Sequence, residues 1–317
     1  MNTPVRIHQY PLASAIHRTP EFAKKKLADF SVNVGLKCAH ACAYCSSGAV
    51  LRCHRAFREL GESPFKHGYA IVDPDIPEKV AAESKRIRKR GIVQLCTTVD
   101  AWCPAAQQYD LGRRCLESLL ADPGWTVRVL TKNAAVARDF DLIEKHRDRV
   151  LVGLSLTGTP DKTAVLSVIE PNASPLSDRV QVMQEAHERG IRTFGMLCPL
   201  MPGIADAPEQ IEELITLLEA CGVEEVFAEA VNQRGPGLKC TEEALRQSGF
   251  DGEADSLAQV RRAANWSVYV AALIRNLQKA LRNHAMIEKF RFLLYPTNLQ
   301  PADKSRLEAD DAGIVWL

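Results

Sequence analysis

The sequence predicts an α/β fold, a partial (β/α)6 barrel, and two observations carry that prediction. From residue 30 to about residue 230, short apolar runs alternate with helical stretches of about 10–15 residues, the pattern of βαβ units on a parallel sheet. The run Cys38-Ala39-His40-Ala41-Cys42-Ala43-Tyr44-Cys45 follows the first predicted strand. That puts it on the face where parallel β/α barrels carry their chemistry.

The elements fall in order. Residues 30–35 read as the strand that delivers the cysteine run. A helix over 77–90 leads to a strand over 92–98, and a helix over 109–120 to a strand over 126–130. The helix 134–146 precedes the strand 150–156, and the helix 176–189 precedes the strand 191–197. The helix 209–220 and the strand 223–228 close the series. Six such units make a curved, partly open barrel rather than a closed one of eight strands. The run Arg234-Gly-Pro-Gly237 marks a loop, after which the pattern changes to a long helix over 255–284, a β-like run over 289–295 and an apolar end over 313–317. The expected organisation is an N-terminal extension (1–29), a core barrel (30–235) and a C-terminal extension packed on it (236–317).

Composition narrows the function classes. Hydrophobic content of 46% and charged content of 25% are those of a soluble globular protein. No apolar run approaches the ~18 residues of a membrane span. A net charge of +1 gives no whole-chain field for a nucleic acid. The basic run Lys85, Arg86, Arg88, Lys89 and Arg90 reads as the solvated face of a helix. Ten cysteines without a secretory signal at Met1-Asn-Thr-Pro-Val-Arg6 point to a reducing, cytoplasmic setting.

The cysteine spacing is C-x3-C-x2-C. Three thiolates so spaced can hold three irons of a [4Fe–4S] cluster, which ordinarily takes four cysteines. The missing ligand leaves an open position, and an open position on a metal usually serves chemistry. A structural zinc site or a cluster-based redox sensor is the non-catalytic alternative. It needs a fourth ligand, for which His40, Cys53 and His54 are the candidates.

Polar residues at the strand ends are the candidates for the barrel mouth. They are Cys96-Thr97-Thr98-Val99-Asp100-Ala101-Trp102-Cys103-Pro104, Thr131-Lys132-Asn133, Ser155 and Thr157, Cys198-Pro199, and Glu229 leading to Asn232. A lysine ending a buried strand, as Lys132 does, needs an anion.

The cysteine run with Tyr44 resembles the signature of the radical S-adenosylmethionine (SAM) superfamily. Further stretches resemble its spore photoproduct lyase-like, or DNA repair photolyase-like, branch: 96–100 with Pro104, Leu130-Thr-Lys132, Ser155-Leu-Thr157, Ile169-Glu-Pro171, Arg179 and Pro199-Leu-Met-Pro-Gly-Ile-Ala-Asp206. Together they span some two thirds of the chain.

The resemblance implies a radical SAM barrel of the TIM type. It implies that Cys38, Cys42 and Cys45 hold the [4Fe–4S] cluster and that SAM chelates its open iron. Thr98, Lys132 and Ser155 match positions that contact SAM, and Tyr44 packs near its adenine. Cleavage of SAM then yields a 5′-deoxyadenosyl radical that takes hydrogen from an organic substrate. Cys96 resembles the lyase's hydrogen-atom donor. Cys103 adds a second thiol where relatives commonly carry glutamine, and Cys198 a third. Ser46 stands where the lyase has a tyrosine, so a radical relay through that position is missing. An external electron donor of flavodoxin or ferredoxin type is implied. The substrate is a small molecule, a peptide or a nucleic acid. Repair of a thymine lesion in DNA is one reading, and Arg52, Arg55 and Arg58 would line the basic groove it needs.

Overall fold

The computed structural model describes residues 5–233 and 235–317; Arg234 of the predicted loop lies outside them. Among the described residues twelve strands form two sheets. They are β1 (Arg6–Gln9), β2 (Ile16–Arg18), β3 (Phe30–Val32), β4 (Gly35–Lys37), β5 (Tyr69–Val72), β6 (Ile92–Leu95), β7 (Thr126–Thr131), β8 (Val150–Leu156), β9 (Arg192–Leu200), β10 (Glu225–Ala230), β11 (Phe290–Leu294) and β12 (Ile314–Trp316). The large sheet has the order β12-β11-β10-β9-β8-β7-β6-β3-β2, and the small one β1-β5-β4. Each neighbouring pair from β3 to β12 is parallel, and β2 joins the edge antiparallel. The six predicted barrel strands therefore stand side by side in chain order. The sheet keeps two edges, β2 and β12, so the barrel is partial.

Both faces of the sheet are covered, which is why its strands read as near-continuous apolar runs. Alternate residues of β8 divide between the faces. Val150, Val152, Leu154 and Leu156 join the large core, which also takes in apolar side chains of the helices. Leu151 joins Phe194, Met196, Phe227, Leu293 and Val315 in a second cluster, against which Phe22 and Leu317 pack from near the two ends of the chain. Gly153 lies on that second face, where a Cβ would meet the Phe194 ring at 2.5–2.7 Å. Arg128 enters the same layer, over the rings of Phe194 (4.8 Å) and Phe227 (5.2 Å), and pairs with Glu225 at 2.6 Å.

Several boundaries differ from the sequence expectation, each for a local reason. The expected strand 30–35 is two strands in two sheets, with Asn33 and Val34 between them, so the cysteine run follows β4 and not β3. The helix expected over 77–90 is Ile76–Ser84. The basic run lies beyond it, where like charges at helical spacing oppose continuation, and Arg90 donates back to the Ser84 carbonyl (2.9 Å). The stretch 134–146 is a 3-10 helix, Ala134–Asp139, followed by Phe140–Lys145. The long helix is two, Asp251–Gln259 and Ala263–Asn283. Beyond residue 235, β11 and β12 continue the large sheet in parallel.

Gly153→Ala is expected to lower stability by about 1–3 kcal/mol through overpacking against a fully buried ring. Adding Phe194→Leu should recover part of that loss. Urea unfolding midpoints at unchanged slope measure both.

Candidate active site

The cysteine run is an irregular loop, so its backbone polar groups need partners from elsewhere. Segment 169–172 supplies them. Ala43 N donates to the Ile169 carbonyl (2.9 Å), Asn172 Nδ2 to the Ala39 carbonyl (2.9 Å) and Asn172 N to the His40 carbonyl (3.3 Å). From the other side the helix Gly237–Gln247 begins against the loop. A Cβ on Gly237 would lie 2.6 Å from the Tyr44 carbonyl oxygen.

Cys42 is buried, and Cys38 and Cys45 are half-buried. Burial pushes the Cys38 thiol well up, and the nearby thiols of Cys103, Cys45 and Cys42 push it further. Burial and the Glu170 carboxylate push Cys42 up to about 12. Cys42 and Cys45 thus lie near enough to Cys38 for their charges to oppose its own. Lys37, beside Cys38, is held down by burial while Cys45, Cys38 and Cys240 favour its charge.

The side chains offered by sequence as a fourth ligand are engaged or turned to solvent. The His40 ring is buried between Asp100 (Nδ1 to Oδ2, 3.4 Å) and Asn133 (3.4 Å). Burial lowers its pKa, so it is neutral. His54 Nδ1 accepts from the Ala56 amide, and Cys53 is exposed. Among the described residues no group of three or more histidine, cysteine or carboxylate side chains stands close enough together to hold a metal ion, the three cysteines of the loop included.

Above the loop, Glu170 gathers four donors. Tyr44 Oη and Thr157 Oγ1 (2.8 Å) donate to Oε1, Arg179 Nη2 donates to Oε2, and Lys132 Nζ pairs with Oε1 at 3.3 Å. Burial alone would raise the Glu170 carboxyl. The Lys132 ammonium, the Arg179 guanidinium and the Tyr44 hydroxyl together hold it well below the usual carboxylate range. Lys132 thus has an anion from the protein itself. Its Nζ also donates to the Cys198 carbonyl (3.2 Å) and stands 5.5 Å from the Tyr44 ring centroid. Sequence reading missed Glu170 as a centre. The available signal was a carboxylate between Ile169 and Pro171, a charge flanked by apolar residues and in need of partners.

Asp100 is a second centre, accepting from Thr131 Oγ1 (2.8 and 2.9 Å), Lys132 N (2.8 Å) and Trp102 N (2.8 Å). Asn33 Oδ1 accepts from the amides of Thr97 and Thr98 (2.9 Å each), fixing the loop after β6. Among the described residues the hydroxyls of Thr98 and Ser155 make no hydrogen bond, although Ser155 is buried; its carbonyl accepts from Arg179 (2.9 Å).

The remaining thiols separate by access. Cys96, at φ +69°, and Cys103 are buried in the large core. Burial and Asp100 push Cys96 well up and Cys103 to about 11. Cys198 is half-buried at the C-terminal end of β9, pushed up to about 12 by burial and Glu229. Lys25 reaches the same mouth, 3.6 Å from Glu229 and 5.3 Å from the Tyr295 ring. A cavity of about 230 Å³ opens beside them, lined by Glu229, Asn232, Trp266, Tyr295 and Asn298 among others.

A parallel β/α sheet with a thiol-bearing loop and polar strand ends on one face has the architecture of a barrel-mouth enzyme. The radical SAM superfamily matches residues 32–218, and the chain belongs to that superfamily: it is a radical SAM enzyme. Membership implies an iron–sulfur cluster and SAM. Relatives in sequence include the uncharacterized protein ORF301 of Acidianus two-tailed virus, 28% identical over 230 residues, 70% of this chain and 73% of that one. The uncharacterized protein MJ0683 of Methanocaldococcus jannaschii is 24% identical over 186 residues, 59% of this chain and 66% of its own length.

Among solved structures, a tyrosine-to-phenylalanine variant of spore photoproduct lyase matches with a TM-score of 0.61 at 15% identity, over 88% of this chain and 79% of that one. A variant with bound AdoMet and dinucleoside spore photoproduct matches at 0.52 and 15% identity, over 76% and 66%. These likenesses show a shared fold. This chain spans about two thirds of the length of several of these proteins. Among the described residues no helix is long and apolar enough to cross a membrane.

Glu170→Gln leaves Lys132 and Arg179 without their buried anion and is expected to cost about 3–5 kcal/mol. The folded carboxyl titrates below its unfolded value. Its contribution is therefore whole above about pH 4.3 and is lost as pH falls toward the folded pKa. The stability gap between wild type and Glu170→Gln should stay level from about pH 8 to about pH 5 and narrow only in stronger acid. Denaturant titrations across that range measure it.

Proposed function

We propose that Cys38, Cys42 and Cys45 hold a [4Fe–4S] cluster with one open iron, and that SAM binds there against Tyr44, Thr98, Lys132 and Ser155. The observation that supports this reading is the C-x3-C-x2-C loop itself, inside the stretch 32–218 that matches the radical SAM superfamily, with Lys132 near enough to favour the Cys42 thiolate. Bound together, the cluster and SAM supply one-electron cleavage of a sulfonium and so a 5′-deoxyadenosyl radical. The protein's own part is positional. Glu170 holds Tyr44 and Lys132 in place, and Lys132 shares its charge between Glu170 and the carboxylate of SAM. Asn33 and Asp100 fix the backbone on either side of Thr98. Packing of 169–172 and of Gly237 on the loop buries Cys42 and covers part of Cys38 and Cys45.

The substrate, a small molecule, a peptide or a nucleic acid, enters at the mouth beside Cys198, Glu229 and Tyr295. A thiol serves as hydrogen-atom donor only while it keeps its proton, and burial keeps Cys96 and Cys103 protonated. We assign the donor role to Cys96, with Cys103 as its neighbour. Spore photoproduct lyase, with which the fold is shared, has been solved with a dinucleoside spore photoproduct. A DNA lesion is the substrate reading that this likeness favours, and Ser46 after Cys45 requires that any radical relay differ. Electrons come from an external carrier of flavodoxin or ferredoxin type.

Anaerobically reconstituted protein should hold about four irons per chain and release 5′-deoxyadenosine from SAM on reduction. Cys42→Ala should lose both the iron and the release, Cys96→Ala neither, and His40→Ala should keep the iron. Iron that binds without SAM cleavage under any reductant sinks the reading.

A further inference from the structure

We propose that the exposed patch centred on Phe65 and Val50 is the docking surface for an acidic one-electron carrier protein, an inference that rests on the cluster reading above. Three large apolar side chains are exposed among the described residues: Val50 (67%), Phe65 (38%) and Val268 (61%). Two of the three belong to the segment 46–68, directly after the third cysteine. A Cβ on Gly48 would lie 2.5 Å from the Pro64 carbonyl oxygen and 3.3 Å from Phe65 Cδ1. The short helix Ser47–Leu51, which carries Val50, therefore lies directly on residues 64–65.

The exposed charges of this segment that have no ion-pair partner are all positive. Arg52, Arg58 and Lys66 are exposed and make no ion pair among the described residues. The segment's carboxylates are already taken: Glu59 by Arg55 and Tyr10, and Glu62 by Arg6 and His8. In a chain whose net charge is only +1, this is a local excess of free cations. It adjoins the cysteine loop by a short connected route. Phe65 follows Pro64, whose carbonyl accepts from Lys37 Nζ at 2.8 Å, and Lys37 precedes Cys38.

Redox encounter complexes are small, below about 1,200 Å². A compact apolar centre with a charged rim suits them: the rim steers the encounter and the centre excludes water. An acidic carrier complements this rim. A duplex sugar–phosphate backbone would meet the cations but offers no apolar surface to Phe65 and Val50, its bases being stacked inside the helix. In the complex one electron leaves the carrier, whose centre is oxidised by one, and the cluster is reduced by one. No bond forms or breaks.

The test uses reconstituted holoprotein, a reduced flavodoxin with a strongly acidic surface, and dithionite as the small-molecule control. Reduction is followed as bleaching of the cluster's visible absorption, and carrier binding by calorimetry. The double substitution Arg52→Glu with Lys66→Glu should slow reduction by flavodoxin about tenfold or more at low salt. It should also flatten the salt dependence and weaken binding in parallel. Phe65→Ser should slow reduction while leaving the salt dependence intact. Dithionite should reduce all three proteins alike. Wild-type rates with flavodoxin in both variants overturn the proposal. So does unchanged reduction with weakened binding of duplex DNA, which would make the patch a nucleic-acid face. If dithionite bleaches no iron–sulfur absorption in the wild type, the cluster reading itself has failed, and the docking surface falls with it.

Discussion

The buried carboxylate of Glu170 is the interaction on which the rest of the site depends. An isolated charge there would be intolerable, and a single partner would not offset its desolvation. Two cations and two hydroxyls converge on it, each from a different part of the chain. Tyr44 belongs to the cysteine loop, Lys132 to the end of β7, Thr157 to the end of β8, and Arg179 to the helix Leu176–Glu188. Arg179 carries the link onward to the carbonyls of Ser155 and Ser174. An irregular loop has no ladder of its own to fix it, so the position of the three cysteines is set by this cluster and by the backbone contacts of 169–172.

Asp100 does related work with weaker means. Its partners are a hydroxyl, two amides and a neutral histidine, a set suited to fixing backbone rather than to balancing charge. Lys132 joins the two centres, its amide on Asp100 and its ammonium on Glu170. Lys132 is therefore placed before any ligand arrives. On the proposed reading, a ligand carboxylate would meet an ammonium already oriented, which lowers the ordering cost of binding.

The parallel core was legible because strands buried on both faces must be apolar throughout, as in β8, and because helices of ordinary length separate them. What escaped notice was short or set by tertiary context. β1, β2 and β5 have three or four residues each, too few to show a period. The break between β3 and β4 leaves no compositional mark, since Asn33 acts by accepting from Thr97 and Thr98 across the sheet. At the site, the cysteines announced themselves by spacing. The partners of Glu170 and of Glu229 did not, because a carboxylate flanked by apolar residues signals that it needs partners without saying which they are. His40, open to reading as a ligand, is legible only once Asp100 and Asn133 stand on either side of it.

Protonation does not distinguish the thiols that could give up a hydrogen atom, because burial raises Cys96, Cys103 and Cys198 alike. Access does. Cys96 and Cys103 are enclosed at 3% and 0% exposure, on the side of the sheet where Cys115 and the helices pack. Cys198 belongs with the opposite cluster and stands between Lys132 and the Lys25–Glu229 pair. A donor must reach a carbon radical directly. The motif resemblance favours Cys96, and that role requires the loop from Cys96 to Cys103 to open toward the mouth. Cys198 needs no such movement. The hydrogen bonds from Thr97 and Thr98 to Asn33 are what would have to break for the loop to open, so the donor role proposed for Cys96 depends on how readily that latch gives way.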